Sequence, residues 1–223
     1  MHSQRMGALI CLLLSMLIAL CPAALPLHAV AEEENVIYYI EPELPSDVEP
    51  YDPEHPEDLY EDQLYAKSAI LIEASSGEVI FEKNADANMY PASTTKIMTF
   101  IIVSEQIQDL DNTQVTVTKE VVDQLLGTGS SLSGIKEGDV LTVMQLLNCM
   151  MVPSGNDAAL VLADYVSNGN VAAFVELMNQ KAQELGCQDT HFTNPHGLHD
   201  DEHYTTAHDL YLITKYAMSL PHF

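Results

Sequence analysis

Positive charge is scarce in this chain. It has 8 lysine and arginine residues against 33 aspartate and glutamate residues, a formal net charge of −25. From residue 66 onward 20 acidic residues still face only 7 lysines. Binding to a nucleic-acid backbone requires basic patches. The composition therefore excludes nucleic acid as a partner.

Cysteine is also scarce, with four in the whole chain. Two of them, Cys11 and Cys21, lie in the N-terminal segment described next, which leaves Cys149 and Cys187. This count excludes a disulfide-rich scaffold. Cys149 lies in an apolar run and is interpreted as a small buried hydrophobic residue, although a bridge to Cys187 stays open. Neither an internal repeat nor a heptad array is present.

The first 31 residues have the layout of a secretory signal peptide. Arg5 precedes an apolar run over residues 8–20, and Ala29-Val30-Ala31 has the small-residue pattern of a cleavage site. An uncleaved membrane anchor is the alternative, but the run is short for a membrane span and prolines follow it. We therefore predict export.

Residues 32–65 are acidic and rich in proline. They contain 13 acidic residues, no lysine or arginine, and five prolines. Such segments bury too little apolar surface to fold, so this one is predicted to be a disordered or extended linker. Residues 66–223 remain as a folded region large enough for one core.

The folded region begins with a predicted β-hairpin, residues 69–73 and 78–82 around a turn at 74–77. A strand is predicted at 115–117, and helices at 119–126, 143–151, 157–166, 171–185 and 207–218, with Thr142 and either Thr205 or Thr206 as N-caps. Strands first and a block of helices afterwards predict an α+β fold.

A serine and a lysine lie three residues apart in Ser93-Thr94-Thr95-Lys96, where an apolar helix begins. Residues at this spacing share one helical face, so the hydroxyl and the amine can meet. The helix that begins here is itself apolar on nearly all of its faces, which predicts that it is buried. Burial favours a neutral lysine, so Lys96 is a candidate base for Ser93 as nucleophile, and the helix start offers positive charge to an oxyanion.

The spacing alone is weak, since a second match exists at Ser133 to Lys136. Gly134 and the turn predicted over residues 136–139 argue against a helix there, so this second pair is interpreted as a chance match.

A second motif, Ser154-Gly155-Asn156, lies between two predicted helices after Pro153. Gly155 is expected to let the backbone turn so that Ser154 and Asn156 both face a cleft. A hydroxyl can pass a proton and a carboxamide can hold a carbonyl or a lysine. The alternative is an ordinary capped loop between helices.

Taken in order, Ser93-Thr94-Thr95-Lys96 and Ser154-Gly155-Asn156 resemble the first two motifs of the D-alanyl-D-alanine carboxypeptidases, the low-molecular-mass penicillin-binding proteins of peptidase family S11. The resemblance extends over nearly all of residues 66–223, including 129–139 and 192–200. It implies a β-lactamase/transpeptidase-like fold, an antiparallel sheet packed with a helical cluster.

The resemblance also implies a reaction and a role for each motif residue. Ser93 would attack the penultimate D-Ala of a peptidoglycan stem peptide and form an acyl-enzyme, with Lys96 as general base. Ser154 would relay a proton to the leaving amine, and Asn156 would hold the substrate and Lys96. β-Lactams would acylate Ser93 as inhibitors. No metal or organic cofactor is implied, and the enzyme would work on the cell-wall side of a bacterial membrane.

The family's third motif, Lys-Thr-Gly on a strand beside the cleft, does not follow Asn156. The nearest match, Lys136-Glu137-Gly138, precedes the second motif. We interpret the 223 residues as a C-terminally truncated fragment, with residues 66–223 as a partial catalytic domain. The fragment is expected to be inactive or poorly folded, and to lack the family's C-terminal amphipathic membrane anchor.

Three other functions stay open. Five histidines from His191 to His208, with Asp200 and Asp201 nearby, could bind a metal ion. The alternative interpretation is that they are ordinary polar residues of a loop and a helix cap. A non-catalytic peptidoglycan-binding pseudoenzyme would use the same cleft without turnover. A serine β-lactamase would share the Ser93 and Lys96 chemistry, but no glutamate in a recognisable loop follows Asn156.

Overall fold

The computed structural model of the chain describes residues 64–125 and 127–223. The signal peptide predicted for 1–31 lies outside the described residues, and so does nearly all of the linker predicted for 32–65. Residues 68–223 pack as one unit.

A β-hairpin opens this unit, as predicted. Strand β1 is Ala69–Ile72 and strand β2 is Val79–Lys83. They pair antiparallel with Ala69 opposite Lys83, and the register shifts between Leu71 and Ile72. The chain turns between the strands through hydrogen bonds in both directions between Glu73 and the residues at the far end of the turn.

The rest of the unit is mainly helical. Its helices are α1 Thr95–Gln106, α2 Lys119–Asp123, α3 Val143–Met151, α4 Asn156–Val166, α5 Val171–Glu184 and α6 Ala207–Ala217. Helix α1 contacts α3, α4, α5 and α6, and its Met98, Ile101 and Val103 are fully buried. The prediction that this helix runs through the core is confirmed. Within the described ranges no single helix has the length and apolar composition of a membrane span, although α4 and α5 together pass on both counts with a 93° bend.

A second small sheet is formed by residues that lie between α1 and α3 along the chain. Strand β3, Gln114–Thr116, pairs antiparallel with β4, Val140–Thr142. The first of these strands was predicted and the second was not. Three residues are too few to show the alternating pattern by which a half-buried strand is predicted. In the structure Val140, an apolar residue of β4, is 56% exposed, so burial does not mark this strand either. Two antiparallel sheets beside a helical cluster form an α+β arrangement.

Most predicted helix ends agree with the structure. Thr142 caps α3 as predicted, and Thr206 rather than Thr205 caps α6. Helix α2 ends at Asp123, before the predicted end at residue 126. The Thr142 cap is a full capping box, because its hydroxyl accepts from the Gln145 backbone N–H while the Gln145 side chain accepts from the Thr142 N–H.

Replacing Thr142 with alanine should lower the free energy of unfolding by about 1 kcal/mol, because one backbone N–H of α3 loses its acceptor. For a domain of this size that corresponds to a Tm lower by about 2–4 °C. Thr118 is the matched control, since it precedes α2 without a capping hydrogen bond. Thermal unfolding should show a clearly smaller change for Thr118→Ala. Equal losses in the two variants would contradict the assignment.

Candidate active site

Ser93 and Lys96 meet at the start of α1. Ser93 lies in a short 3-10 turn, Ala92–Thr94, and Lys96 lies in the first turn of the α-helix that follows. The prediction that the apolar helix begins at this pair is corrected in one respect, since the backbone is wound more tightly at Ser93 and the α-helix begins at Thr95. The pair is nevertheless formed, with Lys96 Nζ 3.1 Å from Ser93 Oγ. Ser93 is exposed while Lys96 is 2% exposed, so the hydroxyl lies on the solvent side of the amine.

The surroundings of Lys96 favour its neutral form. Burial lowers the pKa of Lys96 from 10.5 to about 8, and the negative charge of Asp157 partly offsets this effect. The Nζ atom also donates to the backbone carbonyl of His196 at 2.8 Å. A substantial fraction of Lys96 is thus unprotonated near pH 8, in contact with Ser93. The arrangement can take a proton from the hydroxyl.

Ser154 lies in the loop between α3 and α4 with a left-handed backbone, φ +60°. This conformation is uncommon for serine and costs on the order of 1 kcal/mol or more. Its Oγ is buried and has no hydrogen-bond partner among the described residues. A buried hydroxyl without a partner carries a desolvation cost. Ser154 therefore has its full hydrogen-bonding capacity free.

Gly155 is required for space rather than for backbone freedom. It adopts φ −64°, which any residue can adopt, so the prediction that Gly155 supplies the unusual turn is wrong. The left-handed residue is Ser154. A Cβ at position 155 would lie 2.7 Å from Asp157 Oδ1, from the Cys149 carbonyl oxygen and from Ser133 Cβ. A side chain here would push these three segments apart.

Asn156 begins α4 and is 5% exposed. Its backbone N–H donates to the carbonyl of Ser131 at 2.9 Å. Its side chain makes no hydrogen bond to Lys96 in the part of the chain that the structure describes, so the expected hold on the lysine is not formed here. Helix α4 does pack against α1, and the charge of Asp157 at the start of α4 acts on Lys96, so the starts of the two helices are near each other.

Asp157 was not singled out from the sequence, yet it organises the second motif. Its carboxylate is 2% exposed and accepts from the Ser133 N–H and hydroxyl, the Gly134 N–H and the Ala158 N–H at 2.9–3.0 Å. The carboxylate thereby ties the loop before β4 to the start of α4. Ser133 and Lys136 lie outside any helix, as predicted for the chance match.

The segment after α5 contacts α1 through two backbone carbonyls. The carbonyl of Pro195 accepts from the Thr99 hydroxyl at 2.6 Å, one helical turn beyond the contact between His196 and Lys96. From the sequence, residues 192–200 are indicated only through the family resemblance. The contacts use backbone carbonyls, which carry no residue signature, so no sequence pattern could have signalled them directly.

His203 is a buried link between this segment and the first motif. Its Nδ1 lies 2.9 Å from the Thr193 backbone N–H, which must donate, and its Nε2 lies 2.7 Å from Thr95 Oγ1. The proton of neutral His203 therefore lies on Nε2 and is donated to Thr95. Burial lowers the pKa of His203 and of His196 to about 4.

Two histidines with depressed pKa values make the fold sensitive to mild acid. As the pH falls below 6.5, the ordinary histidine pKa, both histidines become protonated in the unfolded chain. In the folded chain His196 and His203 stay neutral until the pH approaches 4. Stability is fully present above pH 6.5 and falls between pH 6.5 and 4. By pH 5 each histidine should cost about 2 kcal/mol of unfolding free energy.

Denaturant unfolding at a series of pH values between 7.5 and 5 checks this expectation. His203→Asn should remove about half of the decline attributed to the two histidines. A free energy of unfolding that stays constant between pH 7.5 and 5 would contradict it.

Comparisons with known proteins show the family of the chain. Residues 54–222 match the sequence profile of the family described as D-alanyl-D-alanine carboxypeptidase. The chain belongs to this family. It is 38% identical over 152 residues to D-alanyl-D-alanine carboxypeptidase DacF of Bacillus subtilis, covering 67% of this chain and 38% of the relative. It is 37% identical over 156 residues to DacA of Escherichia coli K12, covering 68% and 38%. The chain thus spans about 38% of the length of these curated relatives.

Solved structures of the D-alanyl-D-alanine carboxypeptidase family and of a related transpeptidase share the fold. The D-alanyl-D-alanine carboxypeptidase DacD from Francisella tularensis superposes with a TM-score of 0.65 at 38% identity, covering 71% of this chain and 38% of that one. The Streptomyces K15 DD-transpeptidase superposes with a TM-score of 0.65 at 35% identity, covering 69% and 60%. The predicted α+β, transpeptidase-like fold class is confirmed.

The remaining candidates of the sequence are accounted for by local contacts. Over residues 64–125 and 127–223 no three His, Cys, Asp or Glu side chains are placed to hold a metal ion. His199 instead lies edge-on to Tyr90, and His208 lies 3.2 Å from Asp86. Cys149 and Cys187 are both free, so the bridge left open by the sequence is not formed.

Proposed function

We propose that this chain is part of a serine-type D-Ala-D-Ala carboxypeptidase that removes the terminal D-Ala from peptidoglycan stem peptides. The observation that carries the proposal is the amine of Lys96, buried, with a pKa of about 8, and 3.1 Å from the exposed hydroxyl of Ser93. Membership of the family supports the substrate class.

The reaction has two halves. Lys96 accepts the Ser93 proton as Oγ attacks the carbonyl carbon of the penultimate D-Ala, and the carbonyl oxygen becomes an oxyanion near the start of α1. The C–N bond then breaks, and the leaving amine of the terminal D-Ala takes up a proton. A water molecule afterwards attacks the ester carbon, which releases the shortened peptide and returns the proton to Ser93.

Ser154 and Asn156 support these steps from the start of α4. The Ser154 hydroxyl passes the proton to the departing amine. No hydrogen bond to another described residue competes with this role. The Asn156 carboxamide holds the peptide carbonyl of the substrate. A β-lactam follows the first half of the reaction and leaves a long-lived ester on Ser93. Because peptidoglycan stem peptides lie outside the cytoplasm, residues 66–223 must be exported, and residues 1–31 serve as the signal peptide for that export.

Release of D-Ala from a synthetic stem peptide tests this function. The product of the complete reading frame should release D-Ala from a peptide ending in D-Ala-D-Ala and not from one ending in D-Ala-L-Ala. Binding of the first peptide without release of D-Ala would contradict the proposal and would favour a pseudoenzyme. Rapid hydrolysis of penicillin in place of peptide cleavage would favour a β-lactamase.

A further inference from the structure

The start of α1 is held by one neighbouring segment at more than one point. We call Pro91–Lys96 the nucleophile turn and Thr193–Leu198 the clamp segment. The carbonyl of His196 in the clamp segment receives the hydrogen bond of Lys96 Nζ at 2.8 Å. The next residue, Gly197, lies against the backbone of the nucleophile turn itself.

Gly197 meets two separate requirements that only glycine satisfies. Its φ is +89°, a backbone conformation that residues with a Cβ rarely adopt. A Cβ at this position would also lie 1.8 Å from the carbonyl oxygen of Ala92, 2.3 Å from its carbonyl carbon and 3.0 Å from the backbone nitrogen of Ser93. These neighbours are backbone atoms, so they cannot move aside without moving Ser93.

Ala92, on the other side of this contact, is itself in an unusual conformation. Its φ is +47°, in the left-handed region, which is uncommon for alanine. A conformation of this kind persists only where the surroundings enforce it. Pro91, the residue before Ala92, has a φ of −69° that its ring holds fixed. Gly197 lies against the carbonyl group of Ala92. The strain is thus located at the peptide unit that precedes Ser93.

The clamp segment is rigid through its own hydrogen bonds. Asn194 Oδ1 accepts from the backbone N–H groups of Gly197 at 2.7 Å and His196 at 3.2 Å, and its Nδ2 donates to the Leu198 carbonyl at 2.9 Å. His196 and Gly197 are therefore fixed to one side chain. One local structure sets both the contact with Lys96 and the contact with Ala92.

We propose that Gly197 is a positioning residue for Ser93: its bare backbone forms the wall against which the Ala92 carbonyl rests, and this contact directs the Ser93 hydroxyl toward Lys96. The inference rests on the proposed function, in which Ser93 is the nucleophile. It adds a residue that touches neither substrate nor reacting atoms and acts through the backbone of its neighbour.

Gly197→Ala is the test, and Gly169→Ala is its matched control. Gly169 has nearly the same φ, +87°, but a Cβ there would have nothing within 4 Å. Both variants place alanine in a left-handed backbone, so both should lower the Tm by a similar amount for that reason. Only the first pushes on Ala92, so effects that appear only in Gly197→Ala come from that contact.

Two readouts are needed. The first is the titration of Lys96 in the product of the complete reading frame, followed by NMR of lysine carbons labelled with 13C and assigned with Lys96→Arg. In Gly197→Ala the pKa of Lys96 should rise from about 8 toward 10.5, because displacement of the clamp segment admits water, and in Gly169→Ala it should stay near 8. The second is the acylation rate by penicillin in the product of the complete reading frame, which should fall about 100-fold or more in Gly197→Ala alone.

A folded Gly197→Ala protein with an unchanged Lys96 titration and an unchanged acylation rate would overturn the proposal. If that variant does not fold, Ala92→Gly decides, because glycine accepts φ +47° and keeps the fold. It should lower the acylation rate several-fold by loosening the residue before Ser93, and an unchanged rate would overturn the proposal. If the unmodified protein is not acylated at all, the proposed function fails, while the Lys96 titration still reports on Gly197.

Discussion

Replacing Lys96 with arginine is expected to slow the acylation of Ser93 by a β-lactam by a factor of about 10² to 10⁴. Arginine keeps a positive charge and N–H donors at this position. It cannot act as a base, because its guanidinium group stays protonated. The loss would therefore show that Lys96 takes a proton, beyond any role as a cation in the site.

The pH dependence of acylation supplies the second half of this prediction. Only the neutral amine accepts a proton, and its fraction grows as the pH rises through the Lys96 pKa of about 8. The rate should rise with pH and level off above that value in the unmodified protein. In Lys96→Arg it should stay low without this step. Stopped-flow measurement with a chromogenic β-lactam checks both, and a rate in Lys96→Arg close to that of the unmodified protein would contradict the assignment.

Replacing Asp157 with alanine is expected to destabilise the fold by about 3 kcal/mol or more, because four hydrogen bonds to a buried carboxylate are lost and the N–H groups of Ser133 and Gly134 lose their acceptors. For a domain of this size the Tm should fall by about 6–12 °C. Asp157→Asn should recover only part of this loss, because its amide group presents N–H donors to the N–H of Gly134.

Asp164 provides the control for Asp157. It lies on the same helix, and its carboxylate accepts no hydrogen bond within the described part of the chain. Asp164→Ala should change the Tm far less, and Asp157→Asn should in addition lower the pKa of Lys96, since the charge of Asp157 raises it. A Tm for Asp157→Ala within about 2 °C of the unmodified chain would show that this carboxylate does not hold the loop.

The parts of the fold that the sequence predicts well depend on local chemistry. The hairpin before the nucleophile turn follows from two β-prone segments around Gly77, and the cap at Thr142 follows from a hydroxyl before an apolar helix. Strand β4 could not be predicted in this way. Its pairing with β3 joins segments that are distant along the chain, and Val140 stays exposed in the pair.

The same difference applies to the site. Ser93 and Lys96 could be found because they are only three residues apart in the sequence. The low pKa of Lys96 follows from its burial, which the apolar composition of α1 predicts. The contact of Lys96 with the His196 carbonyl spans 100 residues, and that of Thr95 with His203 spans 108. Such contacts depend on how α1 packs against the segment after α5, which no local pattern specifies.

Gly155 shows a different kind of error. A glycine in a loop indicates a turn that needs a positive φ, and here the positive φ belongs to Ser154. The requirement at Gly155 is space between three segments that meet only in the folded chain. The physical reason for a glycine at this position is therefore tertiary, and no local pattern indicates it.

Mapping a penicillin adduct by mass spectrometry tests most directly whether Ser93 is the acylated nucleophile. The product of the complete reading frame would be labelled, digested with trypsin and analysed for the peptide 84–96, in which Ser93 is the only serine. We predict one β-lactam on this peptide, no adduct in Ser93→Ala, and an adduct that persists in Ser133→Ala, where the serine of the second Ser-x-x-Lys match is removed. An adduct on any other peptide, or equal labelling of Ser93→Ala, would contradict the account.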